Sequence, residues 1–410
     1  MSTINLGLER MERLMEKLRH PERRVKTIHV AGTNGKGSTT AFLQNMLTKA
    51  GFFTGTYTSP YWETPAEQIA INGERISDEE FERCINEITP AINETEAELA
   101  TTVTEFERTT AATLYYFSSM KPVDIAIIET GLGGRRDATN VIVPLVSIIT
   151  TVGMDHEAWL GDTIRDISRE KAGIIKSGVP VFTGATGEAL EEIKIEASQK
   201  HAKVYEAGIY GRGDIVTRTA GETVFTFTSN YQSLENLAIG MCGDHQVTNA
   251  TLAVMALDYM KQHYAMMVDE EAIREGLKDT NVPGRLEEVS GHPRRILDTA
   301  HNPQAIEALV KTVGELYPDD RFTVLFGVMK DKDYTSMLKT LKKAFTTVVV
   351  TTFDDERAAT VDELTKNVAE VTIVNDPVAW IGDYNGPLLI TGSQGFVGKI
   401  RPFLINDGSN

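Results

Sequence analysis

The chain has 410 residues, of which 41% are hydrophobic and 24% are charged, and its formal net charge at pH 7 is −17. This composition is typical of a globular protein of two or three domains. The acidic balance argues against general nucleic-acid binding, which needs a basic surface, but local cations and a helix N-terminus can still hold a small anion.

The N-terminal stretch "MSTINLGLERMERLMEKLRHPERR" is polar and charged. It lacks the apolar segment of a signal peptide, and no run of about 18 apolar residues follows, so we expect a cytoplasmic protein without a membrane-spanning helix. Apolar residues near helical spacing predict a short helix from Leu8 to Leu18. Cys84 and Cys242 belong to no C-x-x-C pair, so neither a disulfide framework nor a zinc site is expected.

Strands and helices alternate through the following part of the chain. "VKTIHVAGT" predicts a buried strand, and "STTAFLQNMLTKAGF" predicts a helix that ends near Gly51. Ser77 and Glu80 form a capping-box pattern at the start of another helix. "VDIAIIETG" and "PLVSIITTVG" are continuous apolar runs of the kind that buried parallel strands show, so the sequence predicts an α/β fold with a parallel sheet.

The pattern changes between Val204 and Phe227, where shorter alternating segments predict a small antiparallel insertion. The helical stretch "QVTNATLAVMALDYMKQHY" follows, and Pro283-Gly284 then interrupts the periodicity. We therefore predict two domains, residues 1–284 and residues 285–410. Alternation resumes from "RRILDTA" to "GPLLITGS", which predicts that the second domain is a smaller, Rossmann-like α/β unit.

The stretch "GTNGKGS", Gly32 to Ser38, lies between a predicted strand and a predicted helix. Its context is that of a phosphate-binding loop, in which backbone N–H groups and a lysine face the anion. The spelling is unusual, because the consensus G-x-x-x-x-G-K-[ST] has glycine where this chain has Val30 and a hydroxyl where it has Gly37. A glycine-rich turn without a ligand is the alternative, and the strand–loop–helix context favours the phosphate site.

Several charged residues follow other predicted strands. Glu129 ends "IIETG", where ligands of open α/β sheets bind, and Asp155 with His156 follow the next strand. A carboxylate at such a position suits Mg²⁺, although a lone carboxylate can equally cap a turn. Taken alone, His156 is more typical of a structural hydrogen-bonding group, and Lys171 of a surface charge.

The second predicted domain offers a similar strand end and a second glycine-rich stretch. "LDTAHNP" places Asp298 and His301 after its first strand, and Arg285 lies just before that strand. "GSQGFVG", Gly392 to Gly398, also follows a strand. Its glycine spacing differs from that of a dinucleotide fingerprint, and no acidic residue follows at the required distance, so we interpret it as a structural turn.

Taken together, these stretches resemble the Mur ligase superfamily and, within it, the folylpolyglutamate synthase/dihydrofolate synthase family. The motifs occur in the family's order from Gly32 to Pro303: "GTNGKGS", "TSP", "INGERIS", "ETGLGGRRDATN", "GMDHEAWLG", "EKAGI", "GDHQVTNA", "PGRLE" and "DTAHNP". In this family the loop carries the extra glycine, so Gly37-Ser38 is its variant form. The resemblance implies an N-terminal P-loop-type ATPase domain with a parallel sheet and a smaller C-terminal Rossmann-like domain.

The resemblance implies ATP-dependent formation of an amide bond. ATP would phosphorylate the glutamate carboxylate of a folate, or the carboxylate of dihydropteroate, and the amine of L-glutamate would then displace phosphate. ATP and Mg²⁺ are the implied cofactors, and folate or dihydropteroate with L-glutamate are the implied substrates. We expect a monomer that binds neither nucleic acid nor membrane.

The resemblance also implies roles for individual residues. The implied nucleotide-binding residues are Thr33, Asn34, Gly35, Lys36, Gly37, Ser38, Asn249, Arg285 and Asp298. The implied magnesium ligands are Ser38, Ser59, Glu129 and His156. The implied catalytic residues are Lys36, Lys171 and His301, and the resemblance implies that Lys171 carries a carbamate.

The chain departs from the family pattern where the folate is expected to lie. The family usually has histidine where this chain has Tyr61, and arginine where it has Gln68. Two alternatives therefore stay open: a Mur-type amino-acid ligase for a different carboxylate acceptor, and a non-catalytic nucleotide-binding module. The second would be expected to lack Glu129, His156 or Lys171, and all three are present.

Overall fold

The computed structural model describes residues 5–291, 293–366, 368 and 371–407. The strands are β1 (Thr27–Ala31), β2 (Thr54–Tyr57), β3 (Ile69–Ile71), β4 (Glu74–Arg75), β5 (Ile125–Glu129), β6 (Val146–Ile149), β7 (Val181–Thr183), β8 (Val204–Glu206), β9 (Gly211–Arg218), β10 (Thr223–Ser229), β11 (Ser233–Ile239), β12 (Glu287–Gly291), β13 (Arg294–Leu297), β14 (Thr323–Phe326), β15 (Thr347–Thr351), β16 (Thr372–Val374) and β17 (Leu388–Thr391).

The helices are α1 (Glu9–Lys17), α2 (Lys36–Lys49), α3 (Asp78–Leu99), α4 (Glu105–Tyr115), α5 (Glu157–Leu160), α6 (Ile164–Ala172), α7 (Gly187–Gln199), α8 (Asp244–Tyr264), α9 (Glu270–Asp279), α10 (Pro303–Leu316), α11 (Tyr334–Ala344), α12 (Val361–Thr365), α13 (Pro377–Asp383) and α14 (Gln394–Asp407). Three short 3₁₀ segments are described as well, at Pro21–Arg23, Pro65–Gln68 and Ala138–Val141, and α4 continues into a π-helical turn at Tyr116–Met120.

The main sheet has the strand order β4-β3-β2-β5-β1-β6-β7-β8. From β2 to β8 neighbouring strands are parallel, whereas β3 and β4 extend the sheet antiparallel at one edge. Every residue of β1, β5 and β6 is buried, as a parallel sheet covered on both faces requires. The structure thus confirms the predicted parallel sheet.

Helix boundaries follow their local sequence signals. The side chain of Ser77 accepts a hydrogen bond from the Glu80 amide, and Glu80 reaches back to the Ser77 amide, which confirms the predicted capping box at the start of α3. Apolar side chains of α1, α3 and α4 pack with those of β2 and β5 into one core, and α6 and α7 cover another part of the sheet with a second core.

The antiparallel insertion was predicted with the wrong bounds. Val204–Glu206 pairs with β7 as the last strand of the main sheet, and the separate three-stranded sheet is built from β9, β10 and β11. The short turns between these strands allow only antiparallel pairing. A strand as short as β8 has too few residues for its alternation to reveal which sheet it joins.

The smaller sheet has the order β12-β13-β17-β14-β15-β16, and all of its pairs are parallel except β12 with β13. Apolar residues line both faces of this sheet and form two cores with α10, α11 and α14. This arrangement is the expected doubly wound α/β unit.

Two compact units divide the chain. The first comprises the described residues up to Val216 together with Val224–Ile239 and Gln246–Thr280. The second comprises Thr217–Thr223, Gly240–His245 and the described residues from Asn281 onward. The domain boundary after Gly284 stays a prediction.

Candidate functional site

Four neighbouring parallel strands, in the order β2-β5-β1-β6, end at one edge of the main sheet. Each is followed by a segment with predicted site residues: Ser59 after β2, Glu129 at the end of β5, the glycine-rich loop after β1, and His156 beyond β6. Carboxyl ends of adjacent parallel strands form the usual ligand-binding edge of an open α/β sheet. The topology therefore brings these four segments to the same edge.

The loop from Gly32 to Gly35 is fixed by hydrogen bonds to the segment after β6. The Thr33 amide donates to the Thr151 carbonyl at 2.7 Å, and the Thr33 hydroxyl accepts from the Gly153 amide at 3.0 Å. The Asn34 carbonyl accepts from the Thr150 hydroxyl at 2.6 Å. Backbone groups of the loop are thus held before any ligand binds.

Gly35 lies in the left-handed region with φ of 92°, and a Cβ there would lie 2.3 Å from Asn249 Oδ1. Both the conformation and the close side chain require glycine. The Asn249 amide is buried and donates to Gln246 Oε1 at 3.1 Å. The structure therefore places Asn249 beside the loop, in the same compact unit.

The first turn of α2 carries Lys36, Gly37 and the buried Ser38. Its N-cap residue, Gly35, has no side chain to cap the first amide groups. The Lys36 ammonium lies 3.7 Å from Glu129 Oε1, and the Glu129 side chain is only 4% exposed. A helix N-terminus, an ammonium and a carboxylate thus converge at the end of β1 and β5, which suits a phosphate with its counter-ion.

Lys171 is buried, with 4% of its surface exposed, in the last turn of α6. Its ammonium donates to the Gly32 carbonyl at 3.0 Å, so the side chain lies directly behind the glycine-rich loop. Burial, and after it the positive charge of Lys36, lower the pKa of Lys171 to about 7, and the negative charge of Asp155 opposes both effects. The expectation for a lone helical lysine, a solvated surface charge, is therefore wrong here.

The segment after Glu129 forms the cover over the end of α6. The Arg135 amide donates to the Glu170 carbonyl at 2.6 Å. The Asn140 amide nitrogen donates to the carbonyls of Arg135 and Gly173, both at 3.0 Å. These bonds supply partners for carbonyls at the end of the helix and tie the loop after Glu129 to it.

A buried hydrogen-bond network behind this segment was missed in the sequence. The Thr139 hydroxyl donates to Asp137 Oδ1 at 2.5 Å and lies 2.8 Å from His29 Nε2 on β1. Burial lowers the pKa of His29 to about 3, so the ring is neutral, and burial raises the pKa of Asp137. Because Asp137 also accepts from the Leu132 amide at 2.8 Å, the network fixes the loop that follows Glu129. The motif "DATN" was the available signal.

Asp155 and His156 lie between β6 and the single-turn helix α5. The His156 amide donates to Asp155 Oδ1 at 2.9 Å, and the Asp155 carboxylate is buried. His156 is the N-cap of α5 and adopts a left-handed conformation with φ of 52°. That conformation is uncommon for a residue other than glycine, and it fixes the direction in which the imidazole side chain leaves the backbone.

Ser59 is half-buried beyond β2, in front of the segment that departs from the family pattern. The Tyr61 hydroxyl donates to Glu105 Oε1 at 2.7 Å, and this bond to a carboxylate raises the pKa of Tyr61 to about 12. Glu67 accepts hydrogen bonds from the amides of Trp62, Glu63 and Thr64, at 2.9 Å each. The segment is thus an ordered turn tied to the start of α4.

In the second unit, Asp298 and Arg285 lie near the strand end of β13. Asp298 accepts from the amides of Leu286 at 2.9 Å and Ala300 at 2.8 Å. Burial raises the pKa of Asp298, and the positive charge of Arg285 opposes this. His301 Nδ1 lies 2.8 Å from the Thr299 carbonyl, so Nδ1 carries the proton in the neutral ring and Nε2 is the acceptor.

The side chains at this edge of the main sheet offer hydroxyl and carboxylate oxygens, the ligands that Mg²⁺ prefers. In the described part of the chain, no group of three or more His, Cys, Asp or Glu side chains is gathered to hold a metal ion. Mg²⁺ commonly takes one or two carboxylates and completes its shell with water and substrate phosphates. Ser38 and Glu129 therefore fit a magnesium–nucleotide complex rather than an all-protein cage.

A cavity of about 60 Å³ lies elsewhere in the first unit, beside β8. Aromatic rings of Phe182, Tyr205 and Tyr259 line it together with the Asp258 carboxylate. None of its lining residues belongs to the four segments at the strand ends, and sites for small molecules usually measure roughly 300–1,000 Å³. The cavity is therefore not the ligand site of this edge.

Two family models match the chain. The Mur ligase middle domain matches residues 30–257, and the Mur ligase glutamate ligase domain matches residues 284–385. The first match alone covers more than half of the chain. Fold, site and matches together define an ATP-dependent ligase.

The particular family follows from individual relatives. The dihydrofolate synthase/folylpolyglutamate synthase of Bacillus subtilis is 39% identical and aligns with 97% of this chain and 95% of its own length. The crystal structure of folylpolyglutamate synthase from Thermotoga maritima has a TM-score of 0.87 at 34% identity, covering 99% of this chain and 95% of that one. The chain belongs to the dihydrofolate synthase/folylpolyglutamate synthase family of Mur ligases.

A third relative shows a bound nucleotide. Folylpolyglutamate synthase of Mycobacterium tuberculosis, solved with ADP and AMPPCP, has a TM-score of 0.87 at 30% identity, covering 97% of this chain and 95% of that one.

Within the described residues of the present chain, no helix combines the length and apolar character needed to cross a bilayer.

Proposed function

We propose that this protein adds L-glutamate to the glutamate carboxylate of a reduced folate, with ATP as the energy source. The observation that carries the proposal is the group formed by Lys36, Glu129 and Lys171 around the first turn of α2. Membership of the dihydrofolate synthase/folylpolyglutamate synthase family supports the choice of substrates.

The reaction proceeds in two steps with one leaving group each. A carboxylate oxygen of the acceptor attacks the γ-phosphorus of ATP, the bond to ADP breaks, and an acyl phosphate forms. The neutral amine of L-glutamate then attacks the acyl carbon, phosphate leaves, and the amine loses a proton as the amide forms. Phosphorylation is required because a carboxylate is a poor electrophile.

In this proposal the loop binds the phosphates of ATP. Backbone N–H groups of Asn34 to Ser38 face the phosphate oxygens, since the N-cap residue of α2 is a glycine without a capping side chain. The Lys36 ammonium neutralises charge that develops during transfer, and such preorganised donors contribute more in the transition state than in the ground state.

The oxygen and nitrogen donors at the strand ends would hold Mg²⁺: Ser38, Ser59, Glu129 and His156. When bound, Mg²⁺ neutralises phosphate charge and orients the transferred group. Glu129 also balances the ammonium of Lys36, which lies 3.7 Å away. A buried carboxylate beside this lysine keeps the local charge near neutral before the nucleotide arrives.

We propose further that Lys171 is carbamylated. A pKa of about 7 makes a large fraction of the amine neutral at physiological pH, and only the neutral amine attacks CO₂. A bond forms between nitrogen and carbon, one proton leaves, and a buried cation becomes an anion. This change removes the repulsion between Lys171 and Lys36.

Four further roles stay predictions from the family resemblance. Asn249, Arg285 and Asp298 are predicted to contact ATP, and His301 is predicted to act in the active site. The neutral tautomer of His301, with Nε2 as acceptor, is suited to accept a proton.

The acceptor is the less constrained part of the proposal. The Bacillus subtilis relative is named for both the dihydrofolate and the folylpolyglutamate reaction, whereas the Thermotoga maritima structure is named for the second alone. We propose that folate is the principal acceptor and dihydropteroate a weaker one, because Tyr61 and Gln68 change the donors of the segment after β2. A site whose polar groups no longer match a ligand discriminates strongly.

The test is ADP release by the purified protein with ATP, Mg²⁺, L-glutamate and a panel of acceptors. We expect release with tetrahydrofolate that depends on L-glutamate, and slower release with dihydropteroate. Equal use of dihydropteroate would make the enzyme bifunctional. Release with neither acceptor would contradict the proposal and favour another carboxylate acceptor. A protein that binds no nucleotide would contradict the proposal that the loop binds ATP.

A further inference from the structure

The segment that carries His156 forms a single short turn of helix, α5. α5 has four residues, which is too short for a helix to be stable by itself in water. Its internal bonds run from the amides of Trp159 and Leu160 to the His156 carbonyl and from Gly161 to Glu157. The last carbonyls of such a turn need partners from elsewhere in the protein.

Arg136 supplies one of these partners. Its Nη2 donates to the Trp159 carbonyl at 3.1 Å, and its Nε donates to Glu170 Oε1 at 3.0 Å. Glu170 directly precedes Lys171 on α6, and its side chain is 15% exposed. One guanidinium therefore joins the turn after His156 to the helix that carries Lys171.

Arg136 itself is anchored in the loop that follows Glu129. Asp137, the next residue, accepts from the amides of Leu132 and Thr139 and donates its own amide to the Gly134 carbonyl. The backbone at Arg136 is thus fixed by a neighbour whose carboxylate is buried. The guanidinium links three segments, those after β5 and β6 and the end of α6.

We propose that Arg136 is a positioning residue that sets His156 relative to Glu129 and Lys171. The inference rests on the proposed function, since it assumes that His156 acts in ligation. Arg136 acts through the groups that it bonds to, the Trp159 carbonyl and the Glu170 carboxylate. A planar guanidinium suits this task, because it offers several donors in a fixed fork.

The adjacent Arg135 provides a matched control. It lies in the same loop with 43% of its side chain exposed, against 45% for Arg136. Its Nη2 donates to Glu196 on α7 at 2.7 Å and to the Arg169 carbonyl at 3.2 Å, and neither of these bonds reaches α5. Removing either arginine removes one exposed charge, but of these two described residues it is Arg136 that bonds to the turn after His156.

The experiment compares Arg136→Ala, Arg136→Lys and Arg135→Ala by amide hydrogen exchange and by steady-state kinetics. We expect the exchange rates of the Trp159, Leu160 and Gly161 amides to rise severalfold in Arg136→Ala and to stay unchanged in Arg135→Ala. Turnover in Arg136→Ala should fall roughly tenfold, because small misplacements of catalytic groups lower the rate strongly. The KM for ATP should stay within about twofold, and Arg136→Lys should recover part of kcat.

His156→Ala separates this inference from the proposed function. Loss of turnover in His156→Ala with normal exchange and kinetics in Arg136→Ala would overturn the positioning role alone. Full turnover in His156→Ala would remove the assumption that His156 acts in ligation. Equal effects of Arg135→Ala and Arg136→Ala, or a uniform rise of exchange across the first unit, would show a general structural effect and would also overturn the inference.

Discussion

Two glycine-rich junctions of this chain look alike in sequence and differ in what surrounds them. Gly32–Ser38 joins β1 to α2, and Gly392–Gly398 joins β17 to α14. Each follows a buried parallel strand and opens a helix, and each contains a glycine at positive φ, 92° at Gly35 and 119° at Gly392. The local pattern alone therefore does not separate a ligand site from a packing turn.

The neighbours of the first junction are polar and charged. Lys36 lies 3.7 Å from the buried Glu129, and Lys171 donates to the Gly32 carbonyl from behind the loop. The N-cap residue of α2 is Gly35, which has no side chain to cap the first turn. Charge and open amide groups together are what an anionic ligand requires.

The second junction is filled by its own side chains. The Ser393 hydroxyl accepts from the Phe396 amide at 3.0 Å, so a first-turn amide of α14 already has a partner. The Phe396 ring is buried 5.4 Å from that of Phe353. A Cβ at Gly392 would lie 2.5 Å from the Gly327 carbonyl oxygen, so its glycine permits a close backbone contact. The difference lies in tertiary neighbours, which the two local sequences do not contain.

The largest difference between the two junctions should appear when the lysine within the first, or the lysine directly after the second, is removed. Lys36→Ala should lower turnover roughly 10²- to 10³-fold, the typical loss for a positioned transition-state donor. Lys399 is exposed near the start of α14, and Lys399→Ala should leave turnover within about twofold. Steady-state ADP release measures both. Near-normal turnover of Lys36→Ala would mean that the first junction is not the ATP site.

The buried lysine behind the first junction gives the next effect. Lys171→Ala should lose most turnover and regain part of it with acetate. Native protein that is kept free of CO₂ should also regain turnover when bicarbonate is added. The pH dependence of this recovery follows the Lys171 pKa of about 7. Above this pKa the amine is neutral, so the reactive fraction at pH 8 exceeds that at pH 6 roughly tenfold.

A ¹³C-bicarbonate NMR experiment should show the carbamate signal in the native protein and not in Lys171→Ala. A free amine at Lys171 together with full activity of the alanine variant would remove the carbamylation proposal.

Stability should separate the second junction from the first. Gly392→Ala forces a side chain into a left-handed backbone and against the Gly327 carbonyl, which should lower the free energy of unfolding by roughly 1–3 kcal/mol. Gly382 lies inside α13 with open space around its Cα, so Gly382→Ala is the matched control and should leave stability equal or raised. Urea unfolding measures both, and turnover of folded Gly392→Ala should match that of the native protein. A loss of ATP affinity in this variant would contradict the packing role.

The smallest effect is expected at Tyr61, in the segment after β2 that departs from the family pattern. Tyr61→Phe removes the hydroxyl that donates to Glu105 at 2.7 Å. The ratio of kcat/KM for tetrahydrofolate to that for dihydropteroate should change by roughly two- to tenfold, the range for one hydrogen bond. The KM for ATP serves as the control and should not change. An unaltered ratio would place acceptor selectivity outside the bond between Tyr61 and Glu105.

Much of the fold was predictable because its signals are local. Buried parallel strands are continuous apolar runs, and Ser77 with Glu80 marks the start of α3 in the sequence itself. The short strand Val204–Glu206 was assigned to the wrong sheet, since pairing with β7 depends on distant residues. The stretch Gly392–Gly398 was predicted as a turn, and α14 begins within it at Gln394.

The site residues also fall into two groups, those that the local sequence indicates and those whose setting depends on distant parts of the chain. Strand ends and motifs indicated Glu129 and the glycine-rich loop, because the polarity of β5 and β1 fixes where they emerge. Composition around Lys171 gave no sign of its burial, and its ammonium bonds to the Gly32 carbonyl, 139 positions away in the chain. The bond between Thr139 and His29 joins residues 110 positions apart, so the motif "DATN" marks the segment but does not identify its partner on β1.

The most direct test of the account follows oxygen atoms through the reaction. The protein would be given ATP, L-glutamate and tetrahydrofolate whose terminal carboxylate is labelled with ¹⁸O, and the released phosphate would be analysed by mass spectrometry. Attack of the carboxylate on the γ-phosphorus predicts that one ¹⁸O passes into phosphate for each amide formed, and that Lys36→Ala slows both together. Amide formation with unlabelled phosphate would contradict the acyl-phosphate mechanism, and with it the role assigned to the loop.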